Sequence, residues 1–227
     1  MENLLQTRRP LVYGVTALMS LVLVSLVAIL ALRLAPRSGA SIPEYGSAPQ
    51  FSLTDQLGRP VTDSDLRGKV VLANFIYTSC PDICPTTSGQ MRTMQELLRE
   101  AGLLDADVRL LSITVDPTRD TPAQLRSYAE GLRADPERWR FLTGEASAVR
   151  EVVVEGFALG VEVMAPAAPG QEHGDHTTNA PAHSPYEVSH SGRFVLIDRS
   201  WQIVGYYESA ELDPPQLLAA IQRLAQE

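Results

Sequence analysis

The chain has 227 residues, of which 44% are hydrophobic, and 27 Asp and Glu against 19 Lys and Arg give a formal net charge of -8. Once an apolar N-terminal stretch is set aside, that length suits one ordinary domain with a full core rather than two. The acidic balance, with no Lys/Arg cluster in the body, argues against a nucleic-acid partner and against attraction to anionic membrane surfaces.

Residues 1–10 form a short tail. Leu11 to Leu32 then carries no charged residue, with Arg8 and Arg9 before it and Arg33 after it. As a helix this run spans about 33 Å, enough for a hydrocarbon core of about 30 Å. A cleavable signal peptide has a shorter apolar region, about 7–15 residues, and a small-residue cleavage site. The run is therefore read as an uncleaved transmembrane anchor. Its short basic N-terminus lies inside and the following domain lies on the outer, extracytoplasmic side. Residues 33–48 are rich in Ser, Pro, Gly and Ala and read as a linker to a domain over 49–227.

Within that domain, Phe51 to Leu53, a turn at Asp55–Gly58 and Pro60 to Thr62 suggest a small hairpin. Lys69 to Tyr77 is a near-continuous apolar run, as expected of a central strand covered on both faces. Cys80-Pro-Asp-Ile-Cys84-Pro85 follows, and then a helix to about Ala101 with Met91, Met94, Leu98 and Ala101 on one stripe. Val108 to Val115 is a second buried strand, and Thr121-Pro122-Ala-Gln124 opens a helix through Leu132 with a capping box.

Trp139 to Leu142 reads as a short strand and Ala146 to Phe157 as a helix. Residues 165–186 lack periodicity and form a long loop. Arg193–Ile197 and Trp201–Tyr206 make a hairpin around Asp198–Ser200, and Asp213-Pro214 caps a last helix through Leu224. The order gives an α/β fold, a central sheet flanked by helices, with the thiols at the end of the first long strand. Asp116, Arg119 and Asp120 are read as a strand end and a helix start, not as an acid–base set.

Cys80 and Cys84 are the only cysteines, too few and too close for a disulfide scaffold. Pro85 suits the first helical position, which places Cys84 at the N-cap, where backbone N–H groups and the helix dipole favour a thiolate. Helical positions four apart hold Cβ atoms about 5–6 Å apart, beyond the roughly 3.5–4.5 Å of a disulfide. Part of the motif lies in a loop, so a disulfide stays within reach, while a metal bridging both sulfurs fits without strain. Two thiolates with an imidazole form a soft set for Cu(I) that can also hold Cu(II). Structural zinc calls for four ligands and a His pair about three to five residues apart, which the spacing of His173, His176, His183 and His190 does not supply.

Taken in order, Asn74-Phe-Ile-Tyr-Thr-Ser-Cys80-Pro-Asp-Ile-Cys84-Pro, Thr114-Val-Asp116-Pro-Thr-Arg-Asp120-Thr-Pro122, Leu142-Thr-Gly144 and Val188-Ser-His190-Ser form a specific combination. From about Gly46 to the C-terminus the chain resembles the Sco/SenC family of copper chaperones for cytochrome oxidase assembly. The resemblance implies a thioredoxin-like fold and one copper, Cu(I) or Cu(II), on Cys80, Cys84 and a distal histidine, which by its place before a strand is His190. It also implies a role in delivering copper to, or reducing the cysteines of, the dinuclear copper site of cytochrome c oxidase. The partner would be the oxidase subunit that carries this site, or another copper chaperone. The family commonly has an acid just before the histidine, where Ser189 stands here.

The alternative is a membrane-anchored thiol–disulfide oxidoreductase with Cys80 and Cys84 as its redox pair, and a peroxiredoxin-type peroxidase is a third reading. His173, His176 and His183 are read as a solvated tract, since Gly, Thr and Pro surround them.

Overall fold

The computed structural model describes residues 19–25, 45–80, 83–158, 161–164, 187–190 and 192–226. The chain divides into two compact units, Met1–Ile42 and Pro43–Glu227. In the first, residues 19–25 are helical and exposed, within the uncharged run. Among the described residues no helix is long and apolar enough to cross a membrane.

The second unit is built on a mixed seven-stranded sheet. Its strands are β1 Ser52–Asp55, β2 Pro60–Thr62, β3 Val70–Ile76, β4 Val108–Thr114, β5 Trp139–Thr143, β8 Arg193–Ile197 and β9 Ile203–Glu208. They lie in the order β2-β1-β5-β4-β3-β8-β9, with β3, β4 and β5 parallel and the other pairings antiparallel. A separate hairpin joins β6 Val161–Met164 to β7 Glu187–His190. The helices are α1 Ile83–Glu100, α2 Pro122–Gly131, α3 Ala146–Arg150 and α4 Pro214–Gln226.

The apolar run of β3 has the cause its sequence suggests, since all seven residues are buried between two layers. Right-handed crossovers from β3 to β4 and from β4 to β5 put α1 and α2 on the same face. There Tyr128 of α2 meets the ring of Phe141 edge-on, with centroids 6.2 Å apart, and its hydroxyl lies 2.9 Å from that of Ser88 on α1. On the opposite face Phe75 packs edge-on against Phe157, 5.4 Å between centroids.

Thr121 caps α2 by accepting from the Gln124 N–H at 3.3 Å, with Pro122 in the first turn. Met91, Met94 and Leu98 of α1 are buried as their spacing predicts, whereas Ala101, just past the helix end, is exposed. The helix read over Ala146–Phe157 keeps α geometry only to Arg150 and then widens into a π-type turn over Glu151–Gly156. Gly156 is needed there because a Cβ would stand 2.4 Å from Pro49 Cβ.

Residues 45–48, the end of the segment read as a linker, run beside the start of β9. Ser47 bridges Gln202, and the Tyr45 and Ala48 N–H groups donate to the carbonyls of Ile203 and Trp201. The loop over 165–186, with His173, His176 and His183, lies outside the described residues.

Candidate metal centre

Because β3 and β4 run parallel, the segments that follow them emerge at the same end of the sheet. One leads through Thr78 to Cys80, and the other leads through Asp116 to Asp120. Asp120 ties them together. Its side chain is fully buried, and its carboxylate accepts from the Thr78 N–H at 3.1 and 3.2 Å and from the Thr78 hydroxyl at 2.5 Å. The Thr114 hydroxyl, at the end of β4, donates to it as well, at 2.5 Å.

Burial pushes the Asp120 carboxyl above the usual carboxylate range, while the hydrogen bonds from Thr114 and Thr78 act against that rise. Asp116 is also buried and pairs with Arg119. The expectation that Asp116, Arg119 and Asp120 only end a strand and start a helix is thus incomplete. Asp120 fixes the backbone two residues before Cys80, a link across 42 positions of sequence.

Neither cysteine is in a disulfide. Cys84 is 1% exposed, while Cys80 is partly open to solvent. The Cys84 N–H, in the first turn of α1, donates to Cys80 Sγ at 3.4 Å. The hydrogen bond between the two side chains, followed by burial, pushes the Cys84 thiol up. This corrects the expectation of a thiolate at Cys84 on the N-cap. Helix α1 starts at Ile83, so Cys84 lies inside it, and the sulfur that receives a first-turn helix N–H is that of Cys80.

His190 ends β7, opposite Val161. Two residues further on, Gly192 lies against the thiol motif itself: a Cβ there would stand 2.8 Å from Ile83 Cγ1 and 3.1 Å from Ser209 Cβ. Gly192 itself therefore lies beside the residue that precedes Cys84. Two peptide units hold the Cα atoms of His190 and Gly192 within about 7 Å of each other.

Among the described residues, no group of three or more His, Cys, Asp or Glu is assembled that could hold a metal ion. What the structure does bring together is Cys80 and Cys84, two soft donors in mutual contact, one of them reachable from solvent. That pair suits a soft, thiophilic cation and does not suit a hard one.

A mixed sheet with two thiols where its first long strand meets a helix defines a thioredoxin-like domain with a CxxxC pair. The SCO1/SenC family model matches residues 41–226, and the chain belongs to that family. It is 34% identical over 188 residues to a protein of Stutzerimonas stutzeri named for copper binding, a match covering 81% of this chain and 77% of that one.

Among solved structures, it is similar to ScoI of Bradyrhizobium japonicum with copper bound. The identity is 30% and the TM-score 0.60, covering 78% of this chain and 99% of that one. It is also similar to BsSco, described as a Sco-family cytochrome c oxidase assembly protein with a disulfide switch, at 25% identity and TM-score 0.62. That match covers 82% of this chain and 96% of BsSco.

Proposed function

We propose that this protein is a copper-binding assembly factor, held at the outer face of a membrane by residues 11–32, with residues 33–48 as its tether and its domain over 49–227. In this reading it binds one copper through Cys80, Cys84 and His190 and serves the dinuclear copper site of a cytochrome c oxidase subunit. The relatives named for copper binding or solved with copper support the cargo. The observation that carries the reading in this chain is the contact between the two sulfurs at the head of α1. Bound copper would bring thiolate-bound redox and ligand-exchange chemistry to the site. The protein's own part is to hold the two sulfurs together, with Cys84 enclosed and Cys80 open to an incoming partner.

Copper content of the reduced full-length chain tests this directly. One tightly held copper per chain is expected, lost in Cys80→Ser and in Cys84→Ser. Retention of tight copper by either variant would remove the assignment.

The same sulfur contact supports a second reading, thiol–disulfide exchange. Cys80, the more accessible sulfur, would attack a target disulfide. Cys84 would then displace the target's second thiol, leaving a Cys80–Cys84 disulfide here and two thiols on the target. An oxidase that assembles normally at low copper in cells whose only copy is His190→Ala favours this reading over delivery.

A further inference from the structure

A hydrogen bond between Ser88 and Tyr128 joins α1 to α2 beside the thiol pair, with the two hydroxyls 2.9 Å apart. Ser88 lies one turn after Cys84 in α1, so the two side chains share one face of the helix. Both are enclosed, Ser88 at 0% and Cys84 at 1% exposure. The Tyr128 ring is braced by Phe141 of β5, edge-on with centroids 6.2 Å apart. Its hydroxyl therefore has little freedom to follow Ser88 if α1 shifts.

The same stretch of chain grips the approach to Cys80. Asp120, just ahead of α2, accepts from the Thr78 N–H and hydroxyl, and the Cys80 N–H donates to the Tyr77 carbonyl at 3.2 Å. The segment from Asp120 to Tyr128 thus fastens the backbone before Cys80 and the helix turn after Cys84.

A disulfide would shorten the contact between the two sulfurs to a bond of about 2.05 Å. With the Cys80 side held by Asp120, the displacement falls on Cys84 and the first turn of α1, and Ser88 moves with it. Resting on the reading of Cys80 and Cys84 as the working pair, we propose that the Ser88–Tyr128 hydrogen bond is a latch that keeps Cys84 in the geometry of a dithiol. Ser88 and Tyr128 are positioning residues, acting through α1 and not as ligands. Their hydrogen bond must stretch or break before the disulfide forms. Copper held between the two sulfurs needs no S–S bond, so the latch stays closed in that state. It biases the pair toward holding metal and away from closing on itself.

The closing step can be followed with glutathione disulfide as the oxidant. The two cysteine thiols together give up two electrons and two protons and form one S–S bond; the glutathione S–S bond breaks and two glutathione thiols form.

The test uses the full-length chain in detergent, metal-free, equilibrated at fixed pH in mixtures of reduced and oxidised glutathione. Remaining thiols are trapped by alkylation and counted by mass spectrometry. Wild type is compared with Tyr128→Phe, Ser88→Ala and Ser88→Ala/Tyr128→Phe, and Cu(I) affinity is measured on the same chains. A neutral buried hydrogen bond kept in one state and lost in the other shifts an equilibrium by about three- to tenfold. Each single variant is expected to form the disulfide that much more readily, tenfold being about 30 mV. Cu(I) affinity should stay within about threefold, since both sulfurs remain.

Both variants remove the same bond, so combining them should add nothing to either one. Tyr206→Phe removes a hydroxyl hydrogen bond to the Phe157 carbonyl on the opposite face of the sheet. It controls for general loosening and should leave the glutathione equilibrium unchanged. Wild-type equilibria in Tyr128→Phe and Ser88→Ala would overturn the proposal, as would additive shifts in the double variant or an equal shift in Tyr206→Phe. Either single variant decides the matter if the other folds poorly. A wild-type chain that takes up no copper removes the copper reading, and the glutathione equilibria then decide the latch by themselves.

Discussion

Replacing Asp120 separates what its carboxylate holds from what its charge costs. In Asp120→Ala the Thr78 N–H, the Thr78 hydroxyl and the buried Thr114 hydroxyl lose their acceptor. A buried donor left unsatisfied costs about 1–3 kcal/mol, and hydroxyls can rotate to other partners, so the net loss should be about 3–5 kcal/mol. That is a large part of the 5–15 kcal/mol typical of a domain. Asp120→Asn keeps one carbonyl acceptor of the same shape and should cost about 1–2 kcal/mol near neutral pH.

The pH dependence adds a second, independent readout. Burial raises the Asp120 carboxyl in the folded chain, so the folded state binds this proton more tightly than the unfolded one. The stability tied to that proton is present below the unfolded value, about 3.9, and is lost as pH rises through the higher folded value. Asn carries no such proton. The stability difference between wild type and Asp120→Asn should therefore shift toward the variant as pH rises from about 4.

Urea unfolding followed by the fluorescence of Trp139 and Trp201, both buried, would measure this between pH 4 and 8. A loss below about 1 kcal/mol in Asp120→Ala would refute the clamp. A wild type and an Asp120→Asn with parallel pH profiles would refute the raised carboxyl.

Three further outcomes are expected. In the metal-free reduced chain, alkylation followed by mass spectrometry should label Cys80 well before Cys84, since Cys84 is buried and its thiol is pushed up; equal rates would contradict the geometry. The full-length chain should remain with membranes after a high-salt wash, and protease should reach its domain only from outside the cytoplasm; a mature N-terminus near Gly39 would show cleavage instead. Changing His173, His176 and His183 together to Ala should leave the tight copper site unaltered; a lost site or a changed Cu(II) absorption would make that loop a ligand source.

Elements that bury one continuous face were legible in the sequence, because burial leaves its period in the residue order. Lys69–Tyr77 and Val108–Val115 gave β3 and β4, and Thr121-Pro122 gave the start of α2, since each signal is local and chemical. The hairpin of β6 and β7 left no comparable trace: each strand has four residues, and 22 positions separate them, 165–186. Residues 45–48 read as linker because Gly46, Ser47 and Ala48 suit either role, and only their pairing with the start of β9 decides it.

In the site, the two cysteines announced themselves. Asp120 did not, because its partner Thr78 lies 42 residues away and a single Asp before a helix has an ordinary local explanation. Gly192 was silent for the same reason. Its constraint comes from Ile83 and Ser209, neither of them its neighbour in sequence.

A spacing motif treats Cys80 and Cys84 as equals, and the fold makes them unequal. Cys80 sits in the loop that Asp120 holds, partly open, and receives the helix N–H. Cys84 lies inside α1, closed off, and holds its proton more firmly because it donates to Cys80 and because it is buried. A metal or a target disulfide arriving from solvent therefore meets Cys80 first, and engagement of Cys84 follows with release of its proton. The two proposed roles share this first step and part at the second. In the proposed copper reading, delivery needs a third donor brought to the opened pair. Disulfide exchange needs only that Cys84 can close on Cys80. Whether such a third donor reaches the pair is thus what would separate a holder of copper from a reductant built on the same two sulfurs.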